Sequence, residues 1–327
     1  MPGAPVLNHD SLHLVVTQLS GLMRWGTHKV SAGAAVGEIG LSVGHVGEGH
    51  PIGLVVAGVH GDEGPWGAWV IRKLLDETNI GELKGTLRVV PVANPLAMEA
   101  DARNAPLDSL DLNRTFPGNP TGSHTERLAE ALAHHAVDGA DVVIDLHGGG
   151  SWCVNSFAFK FPGGEELSKA FGAPFIVEGR ERENTLTGYA RSKGARVAAV
   201  EMGGRCQLEE AWAERIASGL RRALGIAGVL TQSDDKPERE STPVGASRVL
   251  RPSRGGVFKP DLRAHDVGTV VPGGTVMGRL LDPVTMEEVE RFEAPFPETA
   301  ILLLRPTLAR IEGGAMTYVV APLRKEE

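Results

Sequence analysis

The sequence feature that most constrains the fold is an apolar, β-branched run that ends in a histidine and is followed by a loosened turn. The run covers residues 53–59, His60 ends it, and Glu63 follows three residues later. Its length and composition predict one buried strand. The two glycines and the proline of segment 61–65 predict a turn that leads into a helix. In an open α/β sheet, side chains just beyond the carboxyl end of a strand lie where ligands bind.

The same pattern of strand, polar residue and glycines recurs twice along the chain. The apolar run 141–146 ends at His147, which three glycines follow, and the run 196–200 ends at Glu201, which precedes a methionine and two glycines. We expect these three strands to bring their polar residues to one rim of a sheet. A histidine with a glutamate three residues later is a weak signal alone, and the recurrence gives it weight.

Helical patterns separate these strands, and the predicted helices cover 65–77, 123–137 and 208–224. Ser123 and Glu126 match a capping box at the start of the second helix. Trp66 and Trp69 share a face of the first helix with apolar residues and are predicted to lie in the core. Strands that alternate with helices predict a largely parallel sheet with helices on both faces.

Two histidines and a carboxylate form the ligand set of a hydrolytic zinc site, with a fourth position for water. Zinc lowers the pKa of that water to about 7 and polarises a substrate carbonyl. A further carboxylate must take the proton and pass it to the leaving nitrogen, and Glu201 is the candidate. Taken alone, Glu63 also fits a helix cap, and His147 also fits a structural histidine. The three strand ends together favour a catalytic site.

Composition narrows the classes of function. The chain has 327 residues and a net charge of −8, and no block of lysines or arginines stands out. Nucleic acid and anionic membranes are therefore not expected as partners. The sequence contains no apolar run long enough for a membrane span and no signal-peptide pattern. Cys153 and Cys206 cannot form a disulfide framework, so we expect free thiols and a cytoplasmic protein.

Two further segments organise the chain. Residues 95–122 form a long connection with little periodicity, and connections of this length are often functional. A proline and a glycine near its end indicate a fixed shape rather than disorder. Residues 231–241 are polar and lack core-forming side chains, which indicates a linker. We therefore predict a catalytic α/β domain at 1–230, a linker at 231–241 and a C-terminal β domain at 242–327.

Several pieces of the sequence together resemble the succinylglutamate desuccinylase/aspartoacylase family, a branch of the zinc carboxypeptidase clan. They occur in the family's order, and the similarity covers about residues 45–323. The pieces are His60-Gly61-Asp62-Glu63, Asp111-Leu112-Asn113-Arg114 with Phe116-Pro117-Gly118, Asp145-Leu146-His147, and Val200-Glu201 with the glycines that follow. The resemblance implies a zinc-carboxypeptidase-like α/β fold, with a mixed, mostly parallel sheet flanked by helices.

The resemblance also implies the reaction centre. It implies one zinc ion per chain, bound by His60, Glu63 and His147, with Glu201 as the general acid/base. Arg103 matches the family's arginine upstream of the DLNR segment, which stabilises the developing oxyanion. The spacing is longer here than in the aspartoacylases proper, and a solvated loop arginine is the alternative.

The resemblance further implies that Asn113 and Arg114 hold the carboxylate or polar head of an N-acylated amino acid. An arginine fork suits a planar carboxylate better than a lysine does. Asp145 lies two residues before His147, so both side chains point to the same strand face. We expect Asp145 to orient a zinc-bound histidine, His60, as outer carboxylates do, with a capping or turn role as the alternative.

The C-terminal region, 242–327, resembles the family's second domain, a small β-barrel of lipoyl/biotinyl-carrier type. The segments 270–274, 293–295 and 312–314 carry this likeness. A true carrier needs a lysine on an exposed hairpin tip, and none occurs between Lys259 and Lys325. We therefore expect a lid or wall for the active-site rim, with simple structural support as the alternative.

These observations predict a zinc-dependent hydrolase that removes a small acyl group from an amino acid or a related amine. One rival is a zinc carboxypeptidase acting on short peptides or peptidoglycan fragments. The other is a metal- or ligand-binding module without catalysis, which Glu201 argues against, because mere binding has no use for a carboxylate beside an open zinc position. The expected partner is a small N-acyl amino acid or amine. The sequence does not specify the acyl group, the amine or a homo-oligomeric state.

Overall fold

The computed structural model describes residues 17–33, 37–180, 182–205 and 209–324. Cys206, one of the two predicted free thiols, lies outside the described residues. Cys153 is buried and forms no disulfide.

The larger part of the chain builds one extended sheet with a parallel centre. Its strands are β1 (Arg24–Gly33), β2 (Gly37–Gly47), β3 (Ile52–Ala57), β4 (Thr86–Val90), β5 (Val142–His147), β6 (Val154–Lys160), β7 (Phe175–Glu178) and β8 (Arg196–Gly203). The order across the sheet is β1-β2-β4-β3-β5-β8-β6. Strands β4, β3, β5 and β8 run parallel, and β2 and β6 flank them antiparallel. The predicted mixed α/β fold is confirmed.

Helices cover both faces of this sheet. They are α1 (Gly64–Glu77), α2 (Pro95–Glu99), α3 (His124–Leu132), α4 (Glu165–Lys169), α5 (Leu186–Ser192) and α6 (Glu209–Ile226). Alternate residues of β3 point to opposite faces: Val55 packs in one apolar core with α1 and α6, and Leu54 packs in another with α3 and α5. The central strands are buried on both faces, which explains why their sequences are continuous apolar runs. At the start of α3, the predicted capping box forms, with Ser123 N donating to Glu126 Oε2 at 2.7 Å.

The prediction that both tryptophans of α1 lie in the core is wrong for Trp69, whose side chain is 51% exposed. Trp66 is only partly buried. The helix instead turns Gly67 towards β3, where an added Cβ would lie 2.7 Å from the Cβ of Ala57. The buried stripe of the helix consists of Gly64, Gly67, Val70, Ile71, Leu74 and Leu75.

The C-terminal part of the chain is built from short strands in two layers. They are β9 (Thr242–Pro243), β10 (Arg248–Leu250), β11 (Gly256–Pro260), β12 (Val270–Pro272), β13 (Val276–Leu281), β14 (Glu288–Glu293), β15 (Glu298–Leu304), β16 (Ala309–Ile311) and β17 (Tyr318–Pro322). Strands β15, β17, β12 and β10 extend the main sheet, because β15 pairs with β6. Strands β14-β13-β11-β16 form a second sheet. An aromatic cluster of Phe258, Phe292 and Tyr318 fills this region.

The segment 231–241, which joins the two parts, forms no helix or strand and is mostly exposed. Among the described residues, every helix is too short or too polar to cross a membrane.

Candidate metal centre

Sheet register brings the predicted site residues together. Strand β3 pairs with β5 as far as its own last residue, and His60 and Glu63 follow in the next turn. At the end of β5, His147 pairs with Glu201 of β8. Strand β8 continues to Gly203, two residues beyond the predicted end, so Glu201 projects from the strand itself.

The turn after β3 is tight because it passes close to another backbone. Residues Gly61–Glu63 form a single 3-10 turn. A Cβ at Gly61 would lie 2.0 Å from the carbonyl carbon of Ala97, which no side chain can tolerate. The glycine after His60 is thus required for the turn that brings Glu63 back towards the histidine.

Glu63 lies between the two histidines. His60 Nδ1 is 2.9 Å from Glu63 Oε1, and His147 Nδ1 is 3.0 Å from Glu63 Oε2. The backbone N–H of Gly148 donates to the same Oε2 at 3.2 Å. One ligand atom of each of the three buried side chains lies within 4.8 Å of the others, and no other such group of histidine, cysteine or acidic residues occurs in the described part of the chain.

Each histidine also contacts a carboxylate through its outer nitrogen. His147 Nε2 is 2.9 Å from Asp145 Oδ2, and His60 Nε2 is 3.3 Å from Asp111 Oδ1. The expectation that Asp145 orients His60 is therefore wrong. Side chains two residues apart on one strand are neighbours on the same face, so Asp145 reaches His147, and Asp111 of the long connection takes the position beside His60.

These carboxylates set the charge of the cluster. Burial lowers the pKa of His147, but Asp145 and Glu63 outweigh burial and raise that pKa well above its ordinary value. Glu63 and Asp111 likewise raise the pKa of His60 against the effect of burial. Burial raises the pKa of Glu63, but the two histidines outweigh it and hold that pKa well below its ordinary value. A site that favours protons at both Nδ1 atoms also favours a metal cation there, because protons and a cation both compensate the negative charge of Glu63.

Glu201 lies beside this cluster and is half-buried. Asn155 Nδ2, on the neighbouring strand β6, donates a hydrogen bond of 2.6 Å to Glu201 Oε2. Burial and the negative charge of Glu63 raise the pKa of Glu201 to about 7, although the nearby histidines oppose this. A carboxyl group with such a pKa can accept and return a proton near neutral pH.

Arg103 reaches the cluster from the long connection. Its Nη2 donates to Asp111 Oδ2 at 3.0 Å, and its Nη1 lies 3.7 Å from Glu63 Oε1. The side chain is 49% exposed. Arg103 therefore lies at the edge of the cluster beside two carboxylates, with about half of its side chain in solvent.

Asn113 and Arg114 occupy a short turn of the same connection, Leu112–Arg114. Asn113 Oδ1 accepts a hydrogen bond from Leu186 N at 2.9 Å, and its Nδ2 lies 3.4 Å from His147 Nε2. Arg114 is exposed, and its Nη1 donates to the carbonyl oxygen of Asn113 at 2.6 Å. The Asn113 amide thus helps to hold the loop. The Arg114 guanidinium uses Nη1 for the bond to Asn113 and carries further N–H donors besides it.

The long connection has a fixed shape. Asp108 accepts hydrogen bonds from Thr125 N and Thr125 Oγ1 at 2.8 and 2.7 Å. Gly118 adopts a φ of +89°, and a Cβ there would lie 2.2 Å from Glu130 N, so this position needs glycine. The loop that carries Arg103 and Arg114 is therefore anchored to α3.

The C-terminal part of the chain touches the rim through Arg305, which follows β15. The Arg305 guanidinium stacks over the ring of Trp152 at 4.4 Å. Trp152 belongs to the loop between β5 and β6, directly after His147 and the glycines. The C-terminal strands therefore border the loop next to the cluster.

The cluster fits zinc in its donor chemistry. Two imidazole nitrogens and one carboxylate are the protein ligands of many hydrolytic zinc sites. Carboxylates on the outer nitrogens of ligating histidines fix ring orientation and raise ligand basicity, and both histidines have one. His60, Glu63 and His147 could therefore hold such an ion.

Two residues whose role no sequence pattern indicated, Asp111 and Asn155, belong to the site. Asp111 lies in the DLNR segment, and its partner His60 is 51 residues away in the chain. Asn155 carries a signal that was available: it is a polar side chain near the start of an apolar strand, β6. Neither contact follows from spacing alone, because each depends on how distant segments pack.

The site lies in a region of the chain that matches a known protein family. The model of the succinylglutamate desuccinylase/aspartoacylase catalytic domain matches residues 51–227. The match covers more than half of the 327 residues and contains the whole cluster, together with Glu201 and the long connection.

Two curated proteins are similar over part of their length. N-alpha-acetyl-L-2,4-diaminobutyric acid deacetylase of Halomonas elongata is 37% identical over 140 residues, which are 40% of this chain and 40% of that protein. A probable aspartoacylase of Parasynechococcus marenigrum is 35% identical over 150 residues, which are 43% of this chain and 42% of that protein. The similarity thus spans about two fifths of either relative.

Solved structures share the fold over nearly the whole chain. A succinylglutamate desuccinylase from a Silicibacter species superposes with a TM-score of 0.79 at 23% identity and covers 99% of this chain and 100% of its own. The product-bound ectoine utilization protein of Ruegeria pomeroyi gives a TM-score of 0.78 at 24% identity, covering 92% and 95%. At these identities, the likeness establishes the fold alone.

Proposed function

The chain belongs to the succinylglutamate desuccinylase/aspartoacylase family, and from this premise we propose that it is a zinc-dependent hydrolase that cleaves the amide bond of a small N-acylated amino acid or amine. The observation that carries the proposal is the buried cluster of His60, Glu63 and His147, with Glu201 on the neighbouring strand. Buried ionisable groups are costly, and their concentration in one place with shifted pKa values is typical of functional sites.

The three ligands we assign to the zinc ion are His60, Glu63 and His147. When bound, zinc polarises the substrate carbonyl and lowers the pKa of water at the site to about 7. Asp111 and Asp145 hold the two imidazole rings so that both Nδ1 atoms face Glu63. Their negative charge also makes the imidazoles better donors.

Glu201 is the group to which we assign proton transfer. Its Oε1 accepts the proton of the attacking water and later delivers it to the leaving nitrogen, while Oε2 stays bound to Asn155. The raised pKa suits both steps near neutral pH. Arg103, at the edge of the cluster, stabilises the negative charge that develops on the carbonyl oxygen.

Recognition of the substrate is assigned to Asn113 and Arg114. The exposed Arg114 guanidinium can offer two parallel N–H groups to a carboxylate, which an ammonium cannot. Asn113 supplies a neutral donor through Nδ2. Both residues lie in an anchored loop, so little ordering is needed when a substrate binds.

The substrate class is supported by the names of the relatives. One is named for the deacetylation of N-alpha-acetyl-L-2,4-diaminobutyric acid, and the other is named a probable aspartoacylase. Both names support an N-acylated amino acid as the substrate of this chain, and a cytoplasmic location suits such metabolites.

The C-terminal region, 242–327, is inferred to be a small β domain of lipoyl/biotinyl-carrier type, joined by the linker 231–241 to a catalytic domain at 1–230. We infer that it forms a wall of the active site rather than a carrier arm. The stacking of Arg305 over Trp152 supports this role. A wall at the rim favours small substrates over peptides, and thus a deacylase over a carboxypeptidase.

The test is a hydrolysis screen with purified, zinc-loaded protein. The substrates are N-acetyl, N-formyl and N-succinyl amino acids and diamines, together with short peptides and peptidoglycan fragments. Release of free amine from an N-acyl amino acid is expected. Faster hydrolysis of the peptides would favour the carboxypeptidase, and no hydrolysis of any compound would favour a binding module.

A further inference from the structure

Asn155 is the buried polar side chain that contacts Glu201. Strand β6 runs antiparallel to β8, and Asn155 pairs with Gly203 while Phe157 pairs with Glu201. Asn155 and Glu201 are therefore diagonal neighbours on one face of the sheet. Because Gly203 has no side chain, the Asn155 amide can extend along the sheet to Glu201. It reaches Oε2 at 2.6 Å, and Asn155 is only 4% exposed.

The chemistry of this contact matches what a half-buried base needs. A carboxylate that is removed from water must be compensated by hydrogen bonds. A lysine or arginine beside Glu201 would lower its pKa and leave it a weak base. The Asn155 amide compensates one oxygen without adding charge, so its hydrogen bond lowers the pKa of Glu201 less than burial raises it, and it fixes the direction of the carboxylate.

Asn155 is itself held in place. Strand β6 lies between β8 and β15, and Asn155 also pairs with Leu303 of β15. Cys153 Sγ lies 3.8 Å from Asn155 Oδ1. The backbone that carries the amide is thus enclosed by strands on both sides, which keeps Nδ2 aimed at Glu201.

We propose that Asn155 is a positioning residue, which holds Glu201 Oε2 so that Glu201 Oε1 is directed to the reacting groups. This inference rests on the proposed function, because that function assigns proton transfer to Glu201. The hydrogen bonds of the Asn155 side chain are with Glu201 and Cys153, so Asn155 acts through Glu201. Loss of its N–H donor therefore slows turnover and leaves substrate binding and zinc binding intact.

The test compares three variants, each loaded with zinc and assayed on the N-acyl amino acid that the wild type hydrolyses. Asn155→Leu has a similar volume and no donor, Asn155→Gln keeps an amide, and Ser156→Ala is a control at the next, equally buried position. For Asn155→Leu we expect kcat to fall roughly 10- to 100-fold, the cost of a misplaced catalytic group. Its KM should stay within about twofold, with full zinc. Asn155→Gln should recover part of the loss, and Ser156→Ala should match the wild type.

A double-mutant cycle separates positioning from stability. In a Glu201→Gln background, Asn155→Leu should cause no further loss of kcat, since its effect passes through Glu201. Independent losses would overturn the assignment, and so would a fall in kcat that only follows the folded fraction, judged by Tm and zinc content. If Asn155→Leu does not fold, the double-mutant cycle is measured with Asn155→Gln instead. If the wild type hydrolyses no N-acyl amino acid, the proposed function is overturned, and this inference with it.

Discussion

The strand-end cluster and the loop beside it are built in opposite ways. His60, Glu63 and His147 are each less than one tenth exposed, and every imidazole nitrogen faces a carboxylate. Arg103 and Arg114 come from a connection after β4, where Arg103 is 49% exposed and Arg114 is exposed. The strand-end residues are buried and held by hydrogen bonds, so we expect them to carry the chemistry, whereas we expect the exposed loop residue Arg114 to contact the substrate head. Changes at the strand ends, and at Asp111, which the loop contributes to the cluster, should therefore impair metal binding or turnover, whereas changes at Arg114 should alter substrate preference.

The largest effect on turnover is expected for Glu201→Gln. The amide keeps the shape of the side chain but cannot accept a proton, so turnover should fall by about 10²- to 10⁴-fold. Zinc content should stay at the wild-type value, because Glu201 is not among the assigned ligands. Steady-state kinetics and elemental analysis check both statements. Near-normal turnover would remove Glu201 from the reaction.

The next effect concerns the carboxylates behind the histidines. Asp145→Asn and Asp111→Asn should each raise the Kd for zinc by about 10- to 100-fold, because the imidazoles lose orientation and basicity. Competition with a chromogenic chelator measures the affinity. Asp108→Asn is the matched control, since Asp108 anchors the loop to Thr125 and contacts neither histidine. If all three variants bound zinc as tightly as the wild type, the outer carboxylates would not be part of the site.

A smaller and more selective effect is expected in the loop. Arg114→Lys should lower kcat/KM by about 10-fold for substrates with an α-carboxylate, since the paired N–H groups are lost. The matching decarboxylated amine should be hydrolysed as well as before, and zinc content should not change. Arg114 also bonds to the carbonyl oxygen of Asn113, so a loop-bracing role is the alternative. Equal losses for both substrates, with a lower Tm, would favour bracing over recognition.

The smallest expected effect is that the stabilisation of the protein by bound zinc depends on pH. The pKa values of His60 and His147 are raised, so without zinc their protonated forms contribute stability below pH 6.5, which is lost as pH rises through the raised values. The pKa of Glu63 is lowered, so its contribution is present above its ordinary pKa and is lost as pH falls. Without zinc, the cluster is therefore most stabilising in mildly acidic solution.

Zinc binding requires deprotonated histidines, so protons compete with the ion in the same pH range. The rise in Tm on adding zinc should be greater at pH 8 than at pH 6. Differential scanning calorimetry of chelator-treated and zinc-loaded protein at the two pH values measures it. An equal rise at both pH values would mean that the histidines do not exchange protons for the ion.

Much of the strand-end cluster was predictable because its signals are local in sequence. An apolar run that ends in a histidine and glycines specifies a strand and its exit, and parallel pairing then aligns the ends. The expectation that His147 and Glu201 lie at one rim of the sheet follows from this pattern, whereas their direct pairing depends on the strand order. The parallel centre of the sheet was predictable for the same reason.

The contacts that the sequence did not reveal are those between distant segments. Asp111 reaches His60 only because the long connection folds back over the site, and Asn155 reaches Glu201 only because β6 runs antiparallel to β8. Asp145 was expected to contact His60, but it contacts His147. The prediction that Asp145 and His147 share one face of the strand was correct. Trp69 is exposed because the helix buries the stripe that contains Gly67, Val70 and Ile71, and apolar periodicity alone did not distinguish this stripe from the predicted one.

The central claim is that His60, Glu63 and His147 bind one zinc ion. Elemental analysis of the wild type, His60→Ala and His147→Ala, each purified after identical zinc loading, measures it directly. His134→Ala is the control, because His134 is exposed and lies on the segment that follows α3. We predict about one zinc per chain in the wild type and the control, and little or none in the other two variants. Full zinc in both His60→Ala and His147→Ala would contradict the account.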